Sequence, residues 1–248
     1  MLQYIYDGSF DGLLTAIYEA YYRREIPDDI LSEDNPQQNL FIKKVHIETD
    51  LEKAKRVYNS IKAKISDFAL QNCFYVFLSE DEYRGTVIYN YLRLGWKIGK
   101  DIDLNLSNDA VLLVNNISQK VRKEVHRMLG LIRFSQLSNG VYYSQIEPDN
   151  NIIGLIAPHF EDRMPDEYWI VHDVKRELAV MYNKKEWVVR DLNVLEEISF
   201  IDEEEEYQRL WKEYFNSIAI ENKINPRLQK QHMPVRYWKH LVEKQKDC

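Results

Sequence analysis

The chain has 248 residues, 45% hydrophobic and 29% charged, with a formal net charge of −7; that length suffices for one large domain or two small ones with a sizeable core. The charge argues against a protein that coats duplex DNA nonspecifically, because phosphate binding needs cations, but it leaves room for a local basic site on an acidic body. Two cysteines, Cys73 in the apolar NCFYVF and the terminal Cys248, build no metal or disulfide framework. With no apolar run near the roughly 18 residues that cross a bilayer and no signal-peptide pattern in MLQYIYDGSFDG, a reducing, cytoplasmic setting without membrane contact is expected.

Residues 2–6, LQYIY, predict a short strand, and DGSFDG a turn. A helix follows, with Leu13, Leu14, Ile17 and Tyr21 at helical spacing and Asp11 as its N-cap. Asp7, Ser9 and Asp11 crowd this first turn; capping is the commoner use of such oxygens than cation binding. IPDDILSEDNPQQN is polar, holds two prolines and reads as a loop; FIKKVHIET, residues 41–49, reads as a half-buried strand. Three helical patterns then run through DLEKAKRVYNSIKAKIS, DFALQNCFYVFL and EDEYRGTVIYNYLRLGWKIG. Leu51, Ala54, Val57, Tyr58 and Ile61 form the apolar face of the first. A fourth helix covers about 107–129, with Ser107 as its cap.

From Gly130 the character changes. LIRFSQL, Asn-Gly and VYYSQIE predict a β-hairpin. NNIIGLIAPHFEDRM predicts a short helix broken near Pro158, and EYWIVHDV, ELAVMYN and EWVVRDL predict three strands. The expected fold is α+β: a helical N-terminal half, an antiparallel sheet in the order strand-strand-helix-strand-strand-strand around 130–192, and a helical C-terminus. One family-wide unit over 1–248 is expected, with a subdivision into 1–129 and 130–248 as the alternative. Leu210, Trp211, Tyr214, Phe215 and Ile218 mark an amphipathic helix after residue 195, whose acidic first turn, EEEE, suits the helix dipole.

The end of the chain is basic. Residues 222–248 carry seven cations against Glu243 and Asp247, so the rest of the chain holds about −12. Pro234 opens a helix, with Val235, Trp238, Leu241 and Val242 on one side and Arg236, Lys239 and Glu243 on the other. The basic side is left for phosphate or for an acidic region such as 202–206. VRYWKH interleaves aromatic and basic residues, as single-strand binders do; a docked helix with a solvated basic face is the competing reading.

Strong catalytic signatures are missing: no Gly-rich phosphate loop, no GxSxG, no HExxH, no metal-ligand cluster and no cofactor motif. His172-Asp173 matches by two letters the pair used in metal-dependent phosphohydrolases, but sits at a strand end rather than on a helix. His159, close to Glu161, Asp162 and Arg163, has the surroundings for acid–base work or for a loop hydrogen bond. His126 and Arg127 with Arg133 bracket a helix end, where a cation suits the dipole or can bind phosphate.

Taken together, YDGSFDGLLTAIYEAY, HRMLGLIRF, PHFEDRMPDEYWIVHDVKRELAVMY and NPRLQKQHMPVRYWKHLVE resemble, over essentially the whole chain, a bacterial domain-of-unknown-function family labelled "probable DNA metabolism protein". Its members occur beside a radical-SAM protein assigned to DNA modification or repair, and some relatives carry a fused uracil-DNA-glycosylase-like domain. Its recurring stretches fall on Tyr6 to Phe10; His126, Gly130, Arg133 and Phe134; His159, Phe160 and Arg163; Trp169, His172 and Asp173; and Arg227, Gln231, Met233, Pro234, Arg236, Tyr237 and Trp238. Met164 stands where an aromatic is expected. The resemblance implies a DNA repair or modification accessory protein whose partners are DNA, single-stranded included, and a radical-SAM enzyme. Two cysteines cannot hold the three-cysteine cluster of such an enzyme, so that chemistry falls to the partner. The expected nucleic-acid contacts are Arg133, Arg227, Arg236 and Lys239, with Tyr237 or Trp238 stacking. The alternatives are an enzyme using His159, His172 and Asp173, and a protein-interaction scaffold.

Overall fold

The computed structural model describes residues 1–33, 42–192, 201, 204–217 and 225–244. The chain forms two compact units, Met1–Arg122 and Lys123–Cys248.

The first unit begins with β1 (Leu2–Tyr6), which lies between β2 (Asp29–Ser32) and β3 (Lys43–His46), both parallel to it. α1 (Phe10–Tyr22) carries the chain from β1 to β2, as a parallel pairing requires. Residues 3–6 of β1 are all buried, typical of a central parallel strand. The N-cap of α1 is Ser9, not Asp11: Ser9 Oγ accepts from the Gly12 N–H. Asp7 in turn accepts from the Ser9 N–H and hydroxyl and from the Thr49 hydroxyl.

β2 corrects the loop reading of residues 26–39, of which 34–39 lie outside the described residues. Its three buried residues are too few to show a period. Tertiary contact makes the strand: Ile30 pairs with Tyr4, and the Ile30 N–H donates to Thr86 Oγ1 on α4 (Arg84–Ile98). Gly85 permits that approach, since a Cβ there would lie 2.4 Å from the Ile30 carbonyl oxygen.

α2 (Leu51–Lys64) and α3 (Asp67–Phe77) are capped by Asp50 and Ser66. α5 (Asp109–Leu131) starts two residues after the expected cap. Asn108 Oδ1 takes the Ala110 N–H, while Ser107 donates to Asn105. Leu13, Leu14, Ile17, Ile30, Ile61, Ile88 and Leu92 fill the core, with Tyr4 and Tyr91 buried at its edge. Their hydroxyls donate to Glu25 and Asp103, as buried phenols require. Burial pushes the Cys73 thiol well above its usual range.

The second unit holds a five-stranded sheet in chain order: β4 (Ser135–Gln136), β5 (Tyr142–Ile146), β6 (Trp169–Asp173), β7 (Leu178–Tyr182) and β8 (Trp187–Asp191). The β4–β5 hairpin turns at Asn139–Gly140, where Gly140 has φ +83°. β6, β7 and β8 form an antiparallel meander. The sheet is mixed rather than antiparallel, because α6 (Ile153–Arg163) crosses between β5 and β6 and makes that pair parallel. α6 also runs through Pro158 without breaking. α7 (Glu204–Ser217) and α8 (Pro226–His232) follow, then 3-10 turns at Val235–His240 and Val242–Lys244. The mixed helix-and-sheet class is as expected; the division of the chain falls inside α5, ahead of residue 130.

Candidate ligand cavity and the clasped C-terminal segment

Within the second unit, the end of α5, α6 and α7 line a cavity of about 850 Å³. His126 and Gly130 lie one turn apart on α5, with Arg133 just past its end. His159 and Arg163 lie one turn apart on α6, and Glu204, Tyr207, Gln208 and Trp211 share one face of α7. Phe134, Phe160 and Met164 supply apolar wall. Phe134 meets Phe160 edge-on at 5.2 Å between centroids, and Phe160 leans on the buried Trp169 at 6.1 Å. The Glu204 carboxylate is held by the Gln136 N–H at 3.0 Å and by Gln208 Nε2 at 3.1 Å. Arg163 is exposed and makes no ion pair among the described residues.

Arg133 is already engaged. Its Nη2 and Nε donate to Glu243 at 2.8 and 3.3 Å, and its Nη1 donates to the Gly130 and Ile132 carbonyls at the end of α5. The Trp211 ring stacks 5.2 Å from the guanidinium, and Trp211 Nε1 donates to the same carboxylate at 3.1 Å. The Glu243 side chain is fully enclosed. Burial, the largest single influence, would raise its carboxyl, but the Arg133 hydrogen bonds and charge, with the backbone and Trp211 bonds, together outweigh it and hold the carboxyl below the usual carboxylate range.

The rest of the basic segment is clasped in the same way. Arg236 pairs with Asp149 at 2.5 Å, Lys239 pairs with Glu147, and His240 Nε2 reaches Glu147 at 3.2 Å. Tyr237 is buried, and its hydroxyl donates to Glu124 at 2.5 Å; Glu124 also takes the Asp149 and Asn150 N–H groups and Asn150 Nδ2. Trp238 Nε1 donates to the Met233 carbonyl, and Lys244 lies 4.9 Å from the Trp238 ring centre. Four of the expected nucleic-acid contacts thus bond within the unit, Arg133 and Tyr237 mostly enclosed and Arg236 and Lys239 in half-exposed ion pairs. Glu243, expected on the outer side, points inward. Among the described residues, the carboxylates that hold Arg236, Tyr237 and Lys239 belong to the loop after β5 and to α5. Of the acidic stretch 202–206, Glu204 and Glu206 bond Gln136, Gln208 and Arg209, and the side chains of 202, 203 and 205 lie outside the described residues. Arg227 stands exposed on α8 with no ion pair among the described residues.

The three acid–base candidates do not converge. His159 lines the cavity; His172 and Asp173 do not. As neighbours on β6, they face opposite sides of the sheet. His172 Nδ1 meets the Tyr143 hydroxyl at 2.7 Å, and burial lowers the imidazole's pKa. Asp173 accepts from Arg176 Nη1 at 2.7 Å and from the Lys175 and Arg176 N–H groups; burial outweighs these bonds and raises its carboxyl. Asp173 is a turn-fastening group. Among the described residues, no three His, Cys, Asp or Glu side chains gather as metal ligands.

Sequence reading left out of its site set His126, Arg163, Glu204, Tyr207, Gln208 and Trp211. A signal for the first two lay in the stretches HRMLGLIRF and PHFEDRM, which meet at this cavity. No curated protein matches the chain. A family model described as "Domain of unknown function" matches residues 82–243, a span that contains the whole cavity lining. The chain belongs to that family, DUF4130.

Proposed function

We propose that the protein is a nucleic-acid-binding accessory of DNA repair or modification, and that its nucleic-acid site is the cavity between the end of α5, α6 and α7. The observation that carries this reading is convergence. Two separate stretches that bear the family resemblance, on either side of the β4–β5 hairpin, bring His126, Arg133, Phe134, His159 and Arg163 around one space. Arg163 supplies a cation for phosphate, while Phe134, Tyr207 and Trp211 supply rings for a base. Glu204 and Gln208 offer hydrogen-bonding groups to a base edge. A radical-SAM enzyme acting on DNA is the partner this role calls for, because two cysteines cannot bind such a cluster.

The test is fluorescence anisotropy of labelled single-stranded and duplex DNA across a salt series, with the full chain and with Arg163→Ala. We expect salt-dependent binding whose slope for single strands falls by about 0.7 in the variant, one phosphate's worth. No binding, or a slope indifferent to Arg163, overturns the proposal.

A further inference from the structure

We propose that a notch on the first unit, lined by α1, α2 and α4, is a second and separate site that takes an unpaired nucleobase together with its phosphate. The notch has a volume of about 350 Å³, at the small end of ligand clefts. Its walls are Tyr18 and Tyr21 from α1, Arg56, Ser60 and Lys64 from α2, and Trp96 from α4.

The sequence builds this arrangement by helical spacing. Arg56, Ser60 and Lys64 are four residues apart, so they rise in a row along one face of α2. Tyr18 and Tyr21 are neighbours on α1 by the same rule. Tyr21 meets Trp96 edge-on, centroids 4.9 Å apart at 82°, and Trp96 Nε1 is fixed by Ser60 Oγ at 3.1 Å. Tyr18 stacks on Tyr22 at 6.0 Å. The aromatic planes are held in place while Tyr21 stays 48% exposed.

Charge decides the ligand class. This is an acidic chain, with 40 Asp and Glu against 33 Lys and Arg, yet among the described residues no carboxylate lines the notch. Elsewhere on α2 Lys53 pairs with Glu19 and Asp50 and Lys62 with Asp67, while Lys55, exposed and with no ion pair among the described residues, does not line the notch. The two cations that line the notch, Arg56 and Lys64, are exposed and have no ion pair among the described residues. Cations alone would fit an acidic peptide. Cations beside three aromatic rings fit a group that is both flat and anionic, which a nucleotide unit is and a carboxylate side chain is not. Five of these six residues precede the span matched to the family, so the inference stands on different residues from the cavity of the second unit.

The experiment uses the full chain and a decathymidine carrying one 5-iodouracil, cross-linked by light and mapped by peptide mass spectrometry. We expect adducts at Tyr18, Tyr21 or Trp96. In Arg56→Ala/Lys64→Ala, two exposed changes that remove no internal bond, those adducts should be lost and the salt slope of binding should fall by about 0.7, one phosphate's worth. Competition separates the two sources of this chemistry. A decamer at least tenfold tighter than thymidine monophosphate assigns a strand; equal affinity assigns a free nucleotide. Adducts confined to residues 123–248 overturn this site and leave the cavity reading standing. Adducts confined to the notch support it and overturn the cavity. No adduct anywhere, or displacement by an oligoglutamate as effective as by thymidine monophosphate, overturns it.

Discussion

Replacing Arg133 with methionine keeps much of the side chain's apolar volume but removes both hydrogen bonds that the guanidinium gives Glu243, at 2.8 and 3.3 Å. The carboxylate keeps Trp211 Nε1 at 3.1 Å and stays fully enclosed. Breaking a buried ion pair from one side costs about 3–5 kcal/mol. Arg133 itself is 21% exposed, so water can reach part of the gap, and about 3 kcal/mol is expected. With a urea slope of about 1.5 kcal/mol/M for a unit of this size, the midpoint falls by about 2 M. Tryptophan emission is a suitable probe, because four of the five tryptophans, at 169, 187, 211 and 238, lie in the second unit. Glu243→Gln leaves Arg133 with the Gly130 and Ile132 carbonyls and some solvent, so it should cost less, about 1–2 kcal/mol. The double variant should lose less than the sum, by at least ~1 kcal/mol. The pH dependence is fixed in sign. In the wild type the carboxyl is held low, so its stabilisation fades as pH falls. In Arg133→Met the guanidinium's hydrogen bonds and charge are gone, burial weighs against the remaining Trp211 and backbone bonds, the carboxyl moves up from its wild-type position, and protonation relieves it. The penalty must therefore shrink from pH 7 towards pH 4. A penalty under about 1 kcal/mol at pH 7, or one that does not change with pH, refutes the enclosed ion pair.

Arg236→Ala/Lys239→Ala removes two half-exposed ion pairs. It should cost no more than about 1 kcal/mol per pair and leave the salt slope of DNA binding unchanged; a reduced slope in anisotropy would return the segment to the nucleic-acid surface. Burial lowers the imidazole pKa of both His172 and His240, so the unfolded chain binds more protons as pH drops through about 6.5. Thermal midpoints should fall from pH 7.5 to 5.5, and His240→Gln should flatten that fall; an equal fall in the variant refutes its share. Gly85→Ala puts a Cβ 2.4 Å from the Ile30 carbonyl oxygen and should cost about 1–3 kcal/mol. Gly130→Ala, in α5 with nothing within 4 Å of the added Cβ, should stabilise by about 0.5–1 kcal/mol. Urea titration of both decides, and equal effects refute the packing argument.

Local chemistry carried much of the fold. Asn-Gly marked the β4–β5 hairpin, the strand-like runs EYWIVHDV, ELAVMYN and EWVVRDL marked β6, β7 and β8, and helical spacing marked α2. What failed was nonlocal. β2 is a strand because β1 and α4 border it, and DILS has too few residues to announce that. The parallel β5–β6 pair was implicit in strand-helix-strand order, yet nothing within either strand distinguishes it from an antiparallel one. The caps at Ser9 and Asn108 replaced Asp11 and Ser107 because all three residue types, Ser, Asn and Asp, can cap, and only backbone direction chooses. The C-terminal segment failed for a geometric reason. Its outer and inner sides were assigned with a 3.6-residue period, but Val235–His240 is a 3-10 turn of three residues per turn, ending at Leu241. That shift puts Tyr237 inside, beside Leu241 which was expected there, and brings Glu243 to Arg133, 110 residues away in sequence.

The basic segment at the end of an acidic chain is thus explained without a ligand. Glu124, Glu147 and Asp149 are acids that the unit must satisfy, and Tyr237, Lys239, His240 and Arg236 satisfy them. Glu124 is buried, and a carboxylate without donors there would be strongly destabilising. Composition alone therefore does not say which cations are available to a ligand. A cation that already has a carboxylate must give it up before it can hold phosphate, and the salt-dependent gain from counterion release goes to cations free to make the contact. By that argument Arg163 at the cavity and Arg56 and Lys64 at the notch are better phosphate ligands than any charge in VRYWKH. Arg163 stands beside Phe160, and Arg56 and Lys64 beside Trp96, so each place pairs an available cation with an aromatic plane.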